Sequence, residues 1–177
     1  MRPWLISIVL ALVPLDAGGP TPATDGPRFD GDKLVQPAGY DMWPVVGASL
    51  GLSYSQRVEG SDPGTFHRVY VNPTAYATFR GTGKFPNGTI FVLELHEAAA
   101  KTSIAQGGYF EGRRVGLEAS VKDSRQKDGW AYYGFENGAL ESAKAFPDAR
   151  CHSCHEAHGE VDSVFVQFYP NLRERPN

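Results

Sequence analysis

The sequence predicts a mainly β (α+β) fold, an antiparallel β-sheet domain with a few short helices, one of which carries a cysteine–histidine motif. Three observations predict it. Segments whose apolar residues alternate with period two recur at short spacing. Little strand–helix–strand alternation separates them, which argues against a parallel sheet. Helix starts and stops are readable at only a few places. The chain has 177 residues, 41% of them hydrophobic and 21% charged, enough for one domain whose core needs no structural disulfide. A net charge of −3 with Lys and Arg scattered along the chain advertises neither nucleic acid nor an anionic membrane, and no nucleic-acid partner is expected.

Arg2 and the apolar run from Trp4 to Leu15 read as an export signal, and the run is too short to span a bilayer. Residues 1–23 are assigned to it, with cleavage after Ala17 or Ala23. An uncleaved anchor is the alternative, which the short run disfavours. No cysteine lies nearby for a lipid anchor. The expected location is therefore the periplasm. Residues 24–33 continue a Gly-, Pro-, Thr- and Asp-rich stretch and are expected as a flexible lead-in. Residues 34–177 form the expected domain.

Within it, His67 to Val71 alternates as a half-buried strand. Asn72 is expected to cap a helix with Pro73 in its first turn and Ala75, Tyr76 and Phe79 as its apolar stripe. Gly81 and Gly83 end it. Asn87-Gly88-Thr89 reads as a turn into a strand, Thr89 to His96. That strand is apolar at almost every position and so is covered on both faces. Val115, Leu117, Ala119 and Val121 alternate with Gly116, Glu118, Ser120 and Lys122. A turn at Lys127-Asp128-Gly129 leads into a strand from Trp130 to Phe135. Ala139 to Phe146 reads as a short helix ended by Pro147. Val164 to Tyr169 is a last apolar, strand-like segment before Pro170.

The chemistry concentrates in Cys151-His152-Ser153-Cys154-His155. This is C-x-x-C-H, the attachment signature of covalent c-type haem, and it holds both cysteines of the chain. On a short helix stopped by Gly159, residues three and four apart share a face. Cys151, Cys154 and His155 then point the same way. Two thiols can add to the two porphyrin vinyl groups while the imidazole ligates the iron. A thioredoxin-like redox pair competes, but it opens a helix after a buried strand, and Ala145 to Arg150 contains no apolar strand. Zinc with His158 added would crowd Cys154 and His155 on one ion. A plain disulfide leaves His155 unexplained. Covalent haem ranks first, a redox disulfide next and zinc last. One covalent haem c agrees with export, because such haem is attached outside the bacterial cytoplasm.

Several stretches together resemble the cytochrome P-460 family, including the related cytochromes c′-beta. They are Val69-Tyr70-Val71-Asn72-Pro73 with Ala75-Tyr76, Gly83 to Thr89, Gly108-Tyr109-Phe110, Gly116 to Asp123, Gly129-Trp130, the haem motif, and Val164 to Pro170. The resemblance covers roughly residues 36 to 173, in order. It implies a mainly antiparallel β fold, a homodimer, and one five-coordinate haem with His155 as proximal ligand and an open distal side. Hydroxylamine-oxidising members also bond a lysine to the porphyrin edge. The cytochromes c′-beta lack that bond, have an apolar distal pocket and bind nitric oxide.

The lysine position falls on Leu93, which has no nucleophilic atom, and Phe91, Val92, Glu94 and Leu95 are no substitutes. Phe91 shares the strand face of Leu93 and would narrow the same distal pocket, although core packing is the commoner role for such a residue. Glu118 falls where the enzymes carry a distal acid. Its neighbours Gly116 and Ser120 leave space, and burial would raise its pKa toward that of a useful proton acceptor. A solvent-facing glutamate paired with Lys122 is the alternative.

Three functions follow in order. The first is capture of nitric oxide or a similar small nitrogen-oxide ligand. The second is oxidation of hydroxylamine, with Glu118 as base. The third is electron transfer to a periplasmic redox partner by a six-coordinate haem. Met42, His67, His96, His152 and His158 are candidate sixth ligands for the third.

Overall fold

The computed structural model describes residues 25–53, 62–102, 104, 106–126 and 129–173. The export signal expected at residues 1–23, and Lys127 and Asp128 of the expected turn, lie outside the described residues. In chain order the elements are β1 (Phe29–Asp30), β2 (Lys33–Val35), β3 (Val45–Leu50), β4 (Thr65–Val71), α1 (Pro73–Thr82), β5 (Ile90–Ala99), β6 (Phe110–Lys122), β7 (Trp130–Gly134), β8 (Ser142–Lys144), α2 (Asp148–His158) and α3 (Pro170–Arg173). A five-stranded sheet runs β3-β4-β5-β6-β7, and a three-stranded sheet runs β1-β2-β8. Every pairing is antiparallel. The mainly β class expected from period-two patterning is the class observed.

Strand β5 sits at the centre of the large sheet. Ile90, Phe91 and Val92 are all buried, because both faces of the strand are covered. On one face Ile90, Val92, Leu117, Val121 and Phe135 pack with Leu34 and Ala143 of the small sheet. On the other, Val69, Val71, Phe91 and Trp130 pack with Ala75 and Phe79 of α1 and with Val164, Val166 and Leu172. This second face positions the functional site.

Helix α1 starts at Pro73 and ends on Gly83, whose φ of 73° is left-handed and suits glycine. Asn72 holds the cap position without capping. Its Oδ1 accepts from the Ile90 N–H at 2.8 Å, which ties the helix start to β5. The capping acceptor is Asp25, whose Oδ2 takes the Thr74 N–H at 2.6 Å.

Three expectations are corrected. Ala139 to Phe146 is no helix. A 3₁₀ turn at Glu136–Gly138 precedes β8, which pairs with β2 and buries Ala143. An open backbone edge and a core site outweigh the weak helical preference of so short a segment. Val164 to Tyr169 is no strand either. One bridge to Val161 is followed by a 3₁₀ turn at Val166–Phe168, and the apolar side chains are buried by irregular backbone. Periodicity cannot separate these outcomes in a short apolar run. Finally, part of the expected lead-in is paired structure. Phe29–Asp30 forms β1 against Lys33 and Leu34 around a turn at Gly31, so the folded part begins before residue 34.

Candidate haem site

Helix α2 follows Pro147 and stops at Gly159, whose N–H bonds the His155 carbonyl at 2.8 Å. A Cβ on Gly159 would lie 2.4 Å from the Ser163 carbonyl carbon, so only glycine lets the chain fold back this tightly. Asp162 and Ser163 then adopt φ of 52° and 61°, a costly conformation for such residues. An ion pair between Lys122 and Asp162 holds the turn to β6. The result is functional geometry. The Ser163 carbonyl sits 3.0 Å from His155 Nδ1. An Nδ1–H donated there leaves Nε2 with a free lone pair, the arrangement of a histidine ready to bind a metal.

The His155 ring is gripped between Tyr132 and Phe165, with centroids 4.6 and 4.5 Å away. Burial pushes its pKa down, which favours the neutral, ligating form. Burial also raises the pKa of the Cys151 thiol. Both cysteines are free thiols, so no disulfide closes the motif. Among the described residues no three His, Cys, Asp or Glu groups converge as a metal cage. The antiparallel sheet also lacks the setting of a thioredoxin-like pair.

Facing α2 is a wall built by strand register. Gly47 pairs with Val69, Val69 with Leu93, and Leu93 with Glu118. Two residues along, Phe91 pairs with Ser120 and Ser120 with Tyr132. Alternation puts both rows on one face. Between that face and α2 lies a cavity of about 830 Å³, counting the part open at its mouth. Leu93, Phe91, Glu118, Cys151 and His155 all line it, so five of the six residues singled out from the sequence share one chamber. Cys154 stands on the same helix, half-buried, but is not among the lining residues.

Glu118 is not the surface partner of Lys122, which bonds Asp162 instead. Burial raises the Glu118 pKa, and Arg150 pulls it partly back. The space expected at Gly116 is filled by Leu95, whose Cδ1 lies 2.6 Å from where a Cβ would be. Of the candidate sixth ligands, Met42 is 85% exposed. His96 bonds Gly112 and Glu94. His152 and His158 ride on α2 itself. His67 alone of these lines the cavity.

The sequence did not single out Tyr132, Phe165, Gly47 or Tyr169 as site residues. Parity along the predicted strand gave a signal for Tyr132, two residues from Trp130. Nothing local marked Phe165, which arrives on irregular backbone. Gly47 has no Cβ because the Tyr169 ring occupies that place, 2.5 Å from it.

The residues present fit a covalently held haem. Two free thiols one helical turn apart and an imidazole with an unused Nε2 stand at a largely apolar chamber. The buried Tyr132 hydroxyl has no hydrogen-bond partner among the described residues, as expected of a chamber wall whose occupant is a separate molecule. No curated protein matches the chain. The family model of cytochrome P460 matches residues 37–166, most of the chain. With that match laid over the sheet, the cavity and the histidine helix, the chain belongs to the cytochrome P460 family, and a haem is its implied cofactor.

Proposed function

We propose that this protein is an exported mono-haem c-type cytochrome that binds nitric oxide, or a similar small nitrogen species, on the side of the iron away from His155. One observation carries the proposal. Leu93 stands in the cavity wall where a porphyrin-linked lysine would be required for hydroxylamine chemistry, and no lysine is among the described residues lining the cavity.

When bound, the haem supplies an iron with one open position for a diatomic ligand. The protein does the rest. Cys151 and Cys154 would hold the group, each through a thioether made by adding its S–H across a vinyl double bond, the sulfur to one carbon and the hydrogen to the other, which would need no external oxidant. His155 offers Nε2 while the Ser163 carbonyl fixes its other nitrogen. Tyr132 and Phe165 hold the plane of its ring. Leu93, Phe91 and Val69 make the wall apolar, which excludes water and anions from the ligand site. Export rests on the expected signal in residues 1–23. A homodimer and a periplasmic redox partner rest on the family resemblance.

Glu118 favours an alternative reading, oxidation of hydroxylamine, which turnover against an artificial acceptor would support in place of the first. It is a half-buried carboxylate in the same chamber, and its partial burial raises its pKa toward that of a working proton acceptor. Its carboxylate oxygen would take the substrate proton.

The visible spectrum of the reduced protein before and after nitric oxide tests the proposal. A high-spin ferrous form that takes up nitric oxide stoichiometrically, with no hydroxylamine turnover against an artificial acceptor, is the expected result. A low-spin spectrum indifferent to the gas would make the protein an electron carrier instead.

A further inference from the structure

Two imidazoles line the cavity, and only one is accounted for. His155 lies against Tyr132 of β7. His67 lies on β4, three strands away in the order β4-β5-β6-β7, a lateral offset of about 14 Å at the usual strand spacing. Leu93 and Glu118 occupy the strands between them. His67 pairs with Ser49 and Leu95, one step along from the row Val69–Leu93–Glu118, so it belongs to the same face. No other nitrogen-bearing side chain is among the described lining residues.

His67 is also held. Thr65, two residues back on the same strand, brings its Oγ1 to 3.1 Å from His67 Nε2. No described residue bonds Nδ1. Burial lowers the His67 pKa, so the ring is neutral and carries one N–H. If the Thr65 hydroxyl donates to Nε2, that single proton must sit on Nδ1.

We propose that the Thr65 hydroxyl donates to Nε2 and that His67 is the hydrogen-bond donor of the ligand chamber, its Nδ1–H offered to a nitrogen–oxygen ligand held there. This rests on the haem-based function above and deepens it. An apolar wall alone retains any neutral diatomic. A donor at one point of that wall favours ligands that build negative charge on their outer atom, nitric oxide and its reduced relatives over carbon monoxide. Thr65 matters because an imidazole free to exchange tautomers presents a lone pair part of the time, which repels the same atom.

The test uses the haem-loaded full chain. The probes are carbon monoxide, read by its stretching frequency on ferrous iron, and nitric oxide, read by its dissociation rate. His67→Leu is expected to raise the carbon monoxide stretch and speed nitric oxide loss about tenfold, the scale of one hydrogen bond. His67→Asn, which keeps an N–H near the Nδ1 position, is expected to recover most of both. Thr65→Val, which touches neither haem nor ligand, is expected to move the ¹⁵N shifts of His67 toward mixed tautomers and to speed nitric oxide loss in part. Should His67→Leu load haem and take up nitric oxide with stretch and rate unchanged, the His67 assignment falls while the haem function stands. Conversion of a low-spin six-coordinate spectrum to high spin by His67→Leu would make His67 an iron ligand and overturn it also. A wild-type chain without haem would sink both proposals.

Discussion

His155 shows how much a single side chain owes to residues that do not line the cavity. A glycine at 159 permits the turn, two left-handed residues aim a carbonyl, and that carbonyl decides which imidazole nitrogen is free. Glu118 is the complementary case, a carboxyl whose character is set by burial. Its folded-state pKa lies above the ordinary carboxylate value. A folded state that binds the proton more tightly than the unfolded chain is favoured at low pH, and that stabilisation is lost as pH rises through the raised value. Glu118→Gln is therefore expected to raise the thermal midpoint at pH 7 and to change it little at pH 4, where the native carboxyl is protonated anyway. Equal gains at both pH values would show that the partial burial of Glu118 does not raise its pKa. At this scale the sequence was informative. Motif, parity and resemblance pointed to Cys151, His155, Leu93, Phe91 and Glu118, and all five line the cavity. His67 was legible only as one of several possible ligands, because parity places a residue on a face and cannot say what stands opposite it.

Among the elements, β4, β5 and β6 are bound together on the face away from the cavity by one buried carboxylate. Glu94 accepts from the Tyr40 hydroxyl at 2.6 Å, the Tyr70 hydroxyl at 2.9 Å and Arg114 at 3.2 Å. These bonds hold its pKa below the ordinary value despite burial, which acts in the opposite direction. The network fixes the register that brings Leu93 opposite Glu118 on the other face. A one-residue slip would turn the whole cavity wall over. Tyr70→Phe leaves one Glu94 oxygen short of a donor and is expected to cost about 1–3 kcal/mol in urea unfolding, with the haem spectrum unchanged. A loss near zero would show that water replaces the hydroxyl freely. The corrected elements share one cause. Ala139 to Phe146 and Val164 to Tyr169 are short, and their backbone state is decided by a distant edge or surface rather than by their own residues.

In the whole molecule, two layers enclose opposite faces of the large sheet. One packs the small sheet against the large one, and the other leaves the chamber lined by Cys151 and His155 among side chains that also form a core. Anything bound there contributes to the stability of the fold by binding only the native state. A Cys151→Ala/Cys154→Ala variant, produced in cells that attach haem, is expected to give a denatured chain of unmodified mass and to melt several degrees below the parent. An equal midpoint for the uncoloured chain would mean that the chamber closes on itself when empty. By itself the sequence determined the class of fold, the helix that carries the motif and the residues facing one way on each strand. Those are local properties, fixed by periodicity, by turn residues and by spacing along one helix. Only the tertiary structure decided which strands are neighbours, that His67 and His155 share a chamber, and that Phe165 closes on the His155 ring. Those facts depend on contacts between residues far apart in the chain, and the packing that selects them is a property of all the layers together.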